Sequence, residues 1–500
     1  MKAERLLICA DASVAIGTGH VMRCLAIAQA WKRGGGTADF LVPEGLGGSL
    51  ADRIRDGFGL QTFSVGGSPT FPTNRDGYQR AVLDGYGFGP SEQTALSRLG
   101  IPTLFVDDYG HAERYTAKWV LNQNLHAREE MYAKRGHDTR LLLGPGYALL
   151  REEFLPWNGW RRSVPEKASR ILVTMGGSDV HNASLKILQA LACLGECDSE
   201  VTLVLGASNP HVAVIRQAAA KCKLRVQIVQ NAMNMPALMA WADLAIAAAG
   251  GTSYELCYMG LPSVLFVAAE NQRRVAESLS AAGVAVDAGT SEAFSHERFT
   301  EQLMSLLRSP EGRQAMAQKA RKIVDGLGAD RIRAALLGRD LRLRPVDRED
   351  CELLFSWANN PDARAASFHS AEIPWEEHSQ WFARRLADPQ SVIYIGENLT
   401  GEEIGEVRFQ LEGEKGILSI LVAPQFRRAG WGKDLIVFSI RALARARGLR
   451  RVDAYVKPDN RASIRLFESI GFRRSMHESQ VNGQTALLFA WECDRGVHGN

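Results

Sequence analysis

Three times along this 500-residue chain a wholly apolar run leads straight into a glycine-containing turn and then into a helical pattern. The segments are RLLICADASVAIGTGH from Arg5, RILVTMGGSD from Arg170 and LAIAAAGGTS from Leu244. An apolar run without alternation reads as a strand buried on both faces, and such strands belong to parallel sheets covered by helices on each side. Further strand candidates at 37–42 and 103–106, with a helical stretch at 91–99 between them, extend the first sheet. The pattern therefore predicts an open α/β layer structure, written twice, with no tandem repeat beneath it.

At about 100 to 200 residues per domain the length accommodates three units. The segment WNGWRRSVPEKASR, 157–170, interrupts the first pattern with Gly, Pro and charge, and LRLRPVDREDCELLFSWANN from Leu341 opens a fresh strand and helix. Domains are accordingly predicted at 1–160, 161–338 and 339–495. In the third, GEEIGEVRFQLEGEKGILSILVAP contains two alternating runs about a charged turn, which predicts an antiparallel hairpin in a mixed α+β domain.

Lys and Arg total 59 against 56 for Asp and Glu, and a formal charge of +3 offers no general electrostatic case for nucleic acid or membrane binding. The first apolar run is flanked by Glu4 and Asp11 and reads as a buried strand rather than a signal or a membrane span, so the cytoplasm is the expected compartment. Eight cysteines are scattered at 9, 24, 193, 197, 222, 257, 351 and 493. They read as small buried hydrophobes, and Cys193 and Cys197 have no partners at metal spacing, so no metal is predicted.

The loop after the first strand places Gly17, Gly19 and His20 at a helix start, where free N–H groups and the helix dipole favour an anion. Imidazole titrates near neutrality, so His20 can take a proton from an attacking water, or it can simply pack the helix start. Asp11 can orient that site or satisfy the loop backbone. In the second unit Gly176, Gly177 and Ser178, with Asp179 and Asn182 beyond, form either a phosphate cradle or an ordinary capped turn. Gly251, Thr252, Ser253 and Glu255 admit the same pair of readings: a helix N-cap with a favourable acid, or a diphosphate and ribose site. Asp107 and Asp108 are adjacent in a loop and read as solvated or as sugar contacts.

Taken together, ADASVAIGTGHVMRCLAIA, MGGSD, AGGTSYELCYMGLP and AENQ resemble the UDP-sugar hydrolases of the pseudaminic acid pathway, relatives of the GT-B nucleotide-sugar glycosyltransferases. The resemblance spans roughly residues 1 to 335. It implies two Rossmann-like domains in a GT-B arrangement around a cleft, with UDP held chiefly by the second and His20 acting as the water-activating base. It further implies that the GGTS turn and Glu255 hold diphosphate and ribose, that Asn271 and Gln272 face sugar or phosphates, and that the anomeric carbon is inverted. The implied reaction is hydrolysis of UDP-2,4-diacetamido-2,4,6-trideoxy-β-L-altropyranose to the free sugar and UDP.

In the third unit a strand feeds the loop 425–432, with Arg427, Gly430 and Gly432, and a long helix; later a Pro-Asp-Asn turn at Asn460 opens another helix. This pairing resembles the GNAT-type N-acetyltransferases over roughly 341 to 490. The resemblance implies acetyl-CoA as co-substrate, its pyrophosphate on the glycine loop and its arm against Asn460. Glu406 is a candidate proton acceptor through water, or a strand carboxylate that serves solubility. Phe467 stands where many members carry a tyrosine that protonates the thiol, and Tyr455 and His378 are weakly placed for that role. The joint expectation is an α/β chain with two Rossmann-like domains and an α+β GNAT-type domain. It acetylates the 4-amino group of a UDP-sugar, UDP-4-amino-4,6-dideoxy-β-L-N-acetylaltrosamine, and then hydrolyses the product. The competing expectations are a glycosyltransferase fused to an acetyltransferase of another amine, and a nucleotide-sugar sensor without turnover.

Overall fold

The computed structural model describes residues 4–12, 17–44, 48–63, 77–193, 199–206, 209–290 and 293–492. The middle of the first glycine loop (13–16), Cys197, Cys493 and the end of the third predicted domain at 495 lie outside the described residues.

Among the described residues the first sheet contains β1 (Arg5–Ala10), β2 (Thr37–Pro43), β3 (Gly59–Phe63), β4 (Tyr78–Asp84), β5 (Thr103–Val106), β6 (Trp119–Asn122) and β7 (Arg140–Leu143). Its order is β3-β2-β1-β4-β5-β6-β7, with every pair parallel. The second sheet contains β8 (Arg170–Thr174), β9 (Glu200–Leu205), β10 (Arg225–Gln230), β11 (Leu244–Ala248), β12 (Ser263–Val267) and β13 (Val286–Thr290). It repeats the plan as β10-β9-β8-β11-β12-β13, again parallel. In both sheets the strand order reverses beside the first strand, between β1 and β4 and between β8 and β11. Loops leaving the carboxyl ends there part to opposite faces and open a crevice, the usual ligand position in doubly wound sheets. The apolar runs explain the burial: Leu6, Ile8, Ile171, Val173 and Ile246 are fully buried, each side chain contributing roughly 1.5–3 kcal/mol relative to exposure.

The third sheet contains β14 (Arg342–Pro345), β15 (Ser391–Glu397), β16 (Glu403–Glu412), β17 (Lys415–Val422), β18 (Arg451–Val456), β19 (Arg473–Val481) and β20 (Gln484–Glu492), in the order β14-β15-β16-β17-β18-β20-β19. The expected hairpin is β16–β17, which closes at Glu412 opposite Lys415. Among the described residues this sheet has one parallel pair, β17–β18, which joins Lys415–Ile417 to Arg451–Asp453, and both strands run on beyond the residues that pair them with each other.

The chain separates into two compact units. The two parallel sheets share one, Met1–Leu155 with Arg161–Leu336; the third sheet lies in the other, from Leu337 onward, together with the short segment Pro156–Trp160. No helix among the described residues is long and apolar enough to cross a membrane.

Candidate active sites

In the N-terminal unit a cleft of about 550 Å³ is lined by loops from both parallel sheets. His20 reaches it from the first turn of the helix Gly19–Arg33, only 6% exposed. Its Nδ1 lies 2.6 Å from Oδ1 of Asp84, the last residue of β4, which is fully buried. One helical turn on from His20, Arg23 donates from Nε and Nη2 to Asp84, each at 2.6 Å, and from Nη1 to Asp108 at 2.7 Å. Burial opposes ionisation of Asp84, yet Arg23 and then His20 hold its carboxyl well below the ordinary carboxylate range. Asp108 shows the same balance, burial against it and Arg23 lowering it. Tyr86 donates to Asp108 at 2.9 Å, sets its ring edge-on to His20 with centroids 4.7 Å apart, and accepts from Asn271 Nδ2 at 2.5 Å.

The expectation of solvated carboxylates at Asp107 and Asp108 is corrected: both are buried. Asp107 accepts the backbone N–H groups of Tyr109, Gly110 and His111 and the Tyr115 hydroxyl, so it holds the loop after β5 in shape. Asp11 is not part of the cleft lining, and its N–H donates to the Asp84 carbonyl at 2.8 Å.

Gly19, Gly176, Gly177, Gly251, Thr252, Glu255, Asn271 and Gln272 line the cleft, whereas Gly17, Ser178 and Ser253 are not part of its lining. Gly177 is where the two halves meet: a Cβ there would fall 2.7 Å from Thr18 Oγ1. Asp179 accepts the N–H groups of Ala183 and Ser184 and so starts the helix Ala183–Ala192, the capping half of its two readings. The helix Thr252–Met259 differs: Gly251 occupies its N-cap without a side-chain bond, and Ser253 Oγ is buried without a partner. Thr252 and Ser253 therefore do not cap it. Glu255 accepts from Arg151 at 2.8 Å; burial raises its carboxyl and Arg151 works against that rise. Gln272 uses Oε1 to accept the Ala268 N–H at 2.9 Å.

Sequence reasoning did not reach Arg23, Asp84, Tyr86 or Arg151. The signal for Arg23 is its helical spacing of three from His20. Asp84 ends an apolar strand beside the point where strand order reverses, a placement visible only once β4 is recognised in YQRAVLD.

The C-terminal unit has its own cleft of about 940 Å³, opened where β17 and β18 diverge. Gly430, with φ +90°, caps the start of the helix Trp431–Arg447, whose first turn brings Gly432 and Lys433 into the cleft lining, so Gly432 belongs to the helix rather than to the expected loop. Arg427 lines this cleft while donating to Asp362, Asn360 and the Val422 carbonyl. Asn460 caps the helix Arg461–Ser469 by accepting the Ser463 N–H. Glu406, 2% exposed on β16, lines the cleft with Oε2 unpartnered and Arg408 Nε 3.4 Å from Oε1. The solubility reading of Glu406 is thereby excluded. Burial raises its carboxyl, with Arg408 opposing. Tyr455, His378 and Phe467 also line the cleft; His378 is held by the Cys351 carbonyl at 3.1 Å and Phe467 is buried.

Residues 170–330 match the glycosyltransferase family 28 C-terminal domain, and residues 340–473 match the acetyltransferase (GNAT) domain. The UDP-2,4-diacetamido-2,4,6-trideoxy-beta-L-altropyranose hydrolase of Campylobacter jejuni is 24% identical, covering 57% of this chain and 98% of that protein. An uncharacterized protein of Methanocaldococcus jannaschii is 24% identical over 94% of this chain and 97% of its own length. The spore coat polysaccharide biosynthesis protein SpsG of Bacillus subtilis is 27% identical over 47% and 68% respectively. A homologue of a UDP-sugar hydrolase, with a GT-B-like C-terminal domain, is thus fused to a GNAT domain.

Proposed function

We propose that the chain is a bifunctional enzyme of amino-sugar nucleotide metabolism, with domains at 1–160, 161–338 and 339–495 and a place in the cytoplasm. The GNAT domain transfers acetyl from acetyl-CoA to the 4-amino group of UDP-4-amino-4,6-dideoxy-β-L-N-acetylaltrosamine. The N-terminal unit hydrolyses the product, UDP-2,4-diacetamido-2,4,6-trideoxy-β-L-altropyranose. The observation that carries the hydrolase reading is His20 in the cleft wall, its Nδ1 bound to a buried carboxylate, opposite the glycine turns after β8 and β11.

In hydrolysis His20 accepts a proton from water as the water oxygen bonds the anomeric carbon. The bond from that carbon to the UDP oxygen breaks and its electron pair leaves on UDP. The N–H groups at Gly251 and Thr252 and the chain at Gly176–Gly177 meet the diphosphate charge, and Glu255 accepts from ribose hydroxyls. Asn271 and Gln272 contact the sugar or phosphates. With a diphosphate as leaving group, the paired carboxylates of an ordinary glycosidase are unnecessary.

In acetyl transfer, the helix turn after Gly430, which carries Gly432, and the loop with Arg427 hold the CoA pyrophosphate, and Asn460 meets the cofactor arm. Supporting this fit, the open edges of β17 and β18 offer main-chain groups to an extended chain, and the lining is cationic at Arg428 and Lys433. As the amine nitrogen bonds the acetyl carbonyl carbon, the C–S bond to CoA breaks and its electron pair leaves on sulfur as the CoA thiolate, while Glu406 takes the amine proton through water; burial brings its carboxyl nearer the working pH of a general base.

Mass spectrometry on the intact chain tests both steps. With the 4-amino UDP-sugar and acetyl-CoA, the expected products are the acetylated UDP-sugar, then free UDP and the diacetamido sugar. Sugar transfer that requires an added acceptor would replace the hydrolase with a glycosyltransferase; binding of both ligands without products would leave a sensor.

A further inference from the structure

Asp84 receives more donors than a helix anchor requires. Its Oδ1 lies 2.6 Å from both His20 Nδ1 and Arg23 Nη2, and its Oδ2 accepts Arg23 Nε at 2.6 Å and Cys24 Sγ at 3.3 Å. Its main-chain carbonyl is pinned in turn by the Asp11 N–H at 2.8 Å. His20 Nδ1 has two neighbours, Asp84 Oδ1 at 2.6 Å and the donor Arg23 Nη2 at 3.0 Å; the carboxylate contact is the shorter and a carboxylate can only accept, so the hydrogen of the His20–Asp84 bond is assigned to Nδ1. The remaining nitrogen, Nε2, is thereby left with its lone pair.

We propose that Asp84 is the positioning residue for His20, fixing the tautomer in which Nε2 is the free base, and that Arg23 keeps Asp84 a carboxylate throughout turnover. The inference rests on the hydrolase reading with His20 as base. As water attacks, its proton passes to Nε2 and the ring becomes an imidazolium whose Nδ1–H already points at a negative oxygen. The departing electron pair goes to UDP, and the ring returns its proton to solvent after release. The charges facing the ring are Asp84 and Asp108 against Arg23, with the Tyr86 hydroxyl turned toward Asp108. Arg23 could not be replaced by a solvent cation here, because Asp84 is inaccessible to water. Without Arg23, the buried carboxyl would be driven toward its neutral acid, which can donate as well as accept and no longer dictates the tautomer.

The alternative is that Asp84 and Arg23 only tie the helix Gly19–Arg33 to β4. Steady-state release of UDP from UDP-2,4-diacetamido-2,4,6-trideoxy-β-L-altropyranose by full-length Asp84→Asn, His20→Ala and the double variant separates the two. The expected result for Asp84→Asn is a kcat lower by on the order of 10²–10⁴-fold with KM within about twofold, since a wrong tautomer removes the base and leaves binding intact. The double variant should be no slower than His20→Ala, because residues acting as a unit are not additive. UDP should still raise the thermal midpoint of Asp84→Asn, and acetyl transfer should continue. Wild-type kcat in Asp84→Asn, with His20→Ala inactive, would overturn the inference while sparing the hydrolase reading. Full activity in His20→Ala would remove the hydrolase base itself. Should Asp84→Asn fail to fold, ¹⁵N chemical shifts of His20 in the unmodified protein decide: a protonated Nδ1 with bare Nε2 supports the inference, and the opposite tautomer overturns it.

Discussion

Glu406 shows what the carboxylate proposed as base costs its own fold. Its Oε2 is buried without a partner, and burial raises its pKa with Arg408 only partly opposing. A group whose folded pKa lies above its unfolded value binds its proton more tightly in the folded state. Its favourable contribution is complete below the unfolded value and is lost as pH rises through the folded one. At neutral pH Glu406→Gln should therefore raise the thermal transition that acetyl-CoA shifts, by about 2–4 °C for each kcal/mol gained in a domain of this size. The advantage should vanish in acid, where wild-type Glu406 is already neutral. The same variant should lower acetyl transfer by roughly 10²-fold and remove the acid limb of its kcat/KM profile that lies above the usual carboxylate range. A variant with unchanged acetylation would strip Glu406 of the base role.

At the level of elements, both sites exploit the starts of helices, and the turns before them decide whether those starts are usable. Gly430 holds φ +90°, a conformation costing an L-residue about 1–2 kcal/mol, and a Cβ there would stand 3.1 Å from the Arg339 guanidinium carbon. Gly430→Ala should weaken acetyl-CoA binding at least about tenfold, because a loop shift turns the first-turn N–H groups away from the pyrophosphate; calorimetry on the intact chain measures it. Another helix end depends on a side chain. Arg313, fully buried in the helix Pro310–Ile323, donates to the carbonyls of Leu306 and Leu307 at the end of the helix His296–Arg308, and to those of Pro165 and Glu166. Arg313→Ala leaves those acceptors without their donor, at a cost of about 1–3 kcal/mol for each one that water fails to reach. The thermal transition that UDP shifts should fall by several degrees, while the acetyl-CoA-dependent transition stays in place.

At the scale of the whole molecule, the prediction is a clean division of labour. His20→Ala should abolish UDP release and leave acetyl transfer at the wild-type rate, and Glu406→Gln should do the reverse when the diacetamido UDP-sugar is supplied directly. Timed quenching and chromatography of both products checks this; a variant that silences both steps would mean that the two chemistries are not separable by unit. The near-neutral charge suits the proposal, in which anionic ligands are met by local N–H groups while the cleft arginines Arg23 and Arg151 are already paired with carboxylates.

The two parallel layers and the hairpin of the C-terminal unit were legible in the chain because each rests on local pattern: apolar runs without alternation, glycine turns and a charged bend at Glu412–Lys415. His20, Glu255, Gly430 and Glu406 were nominated from the same local signals combined with family resemblance, and all four line a cleft. Asp84 and Tyr86 were not, because nothing within a few residues of them distinguishes a cleft residue from an ordinary polar one, and the local signal for Arg23 is only its spacing of three from His20. Sixty-four residues separate His20 from Asp84, and the strand order that brings β4 beside β1 is what closes that distance to 2.6 Å. Local sequence thus determined which segments become buried strands and which turns can face an anion, since those depend on side-chain polarity and backbone freedom at the residue itself. Only the tertiary structure decided which charges share a buried pocket, since electrostatic coupling depends on distance and on the exclusion of water, and both are properties of the packed fold.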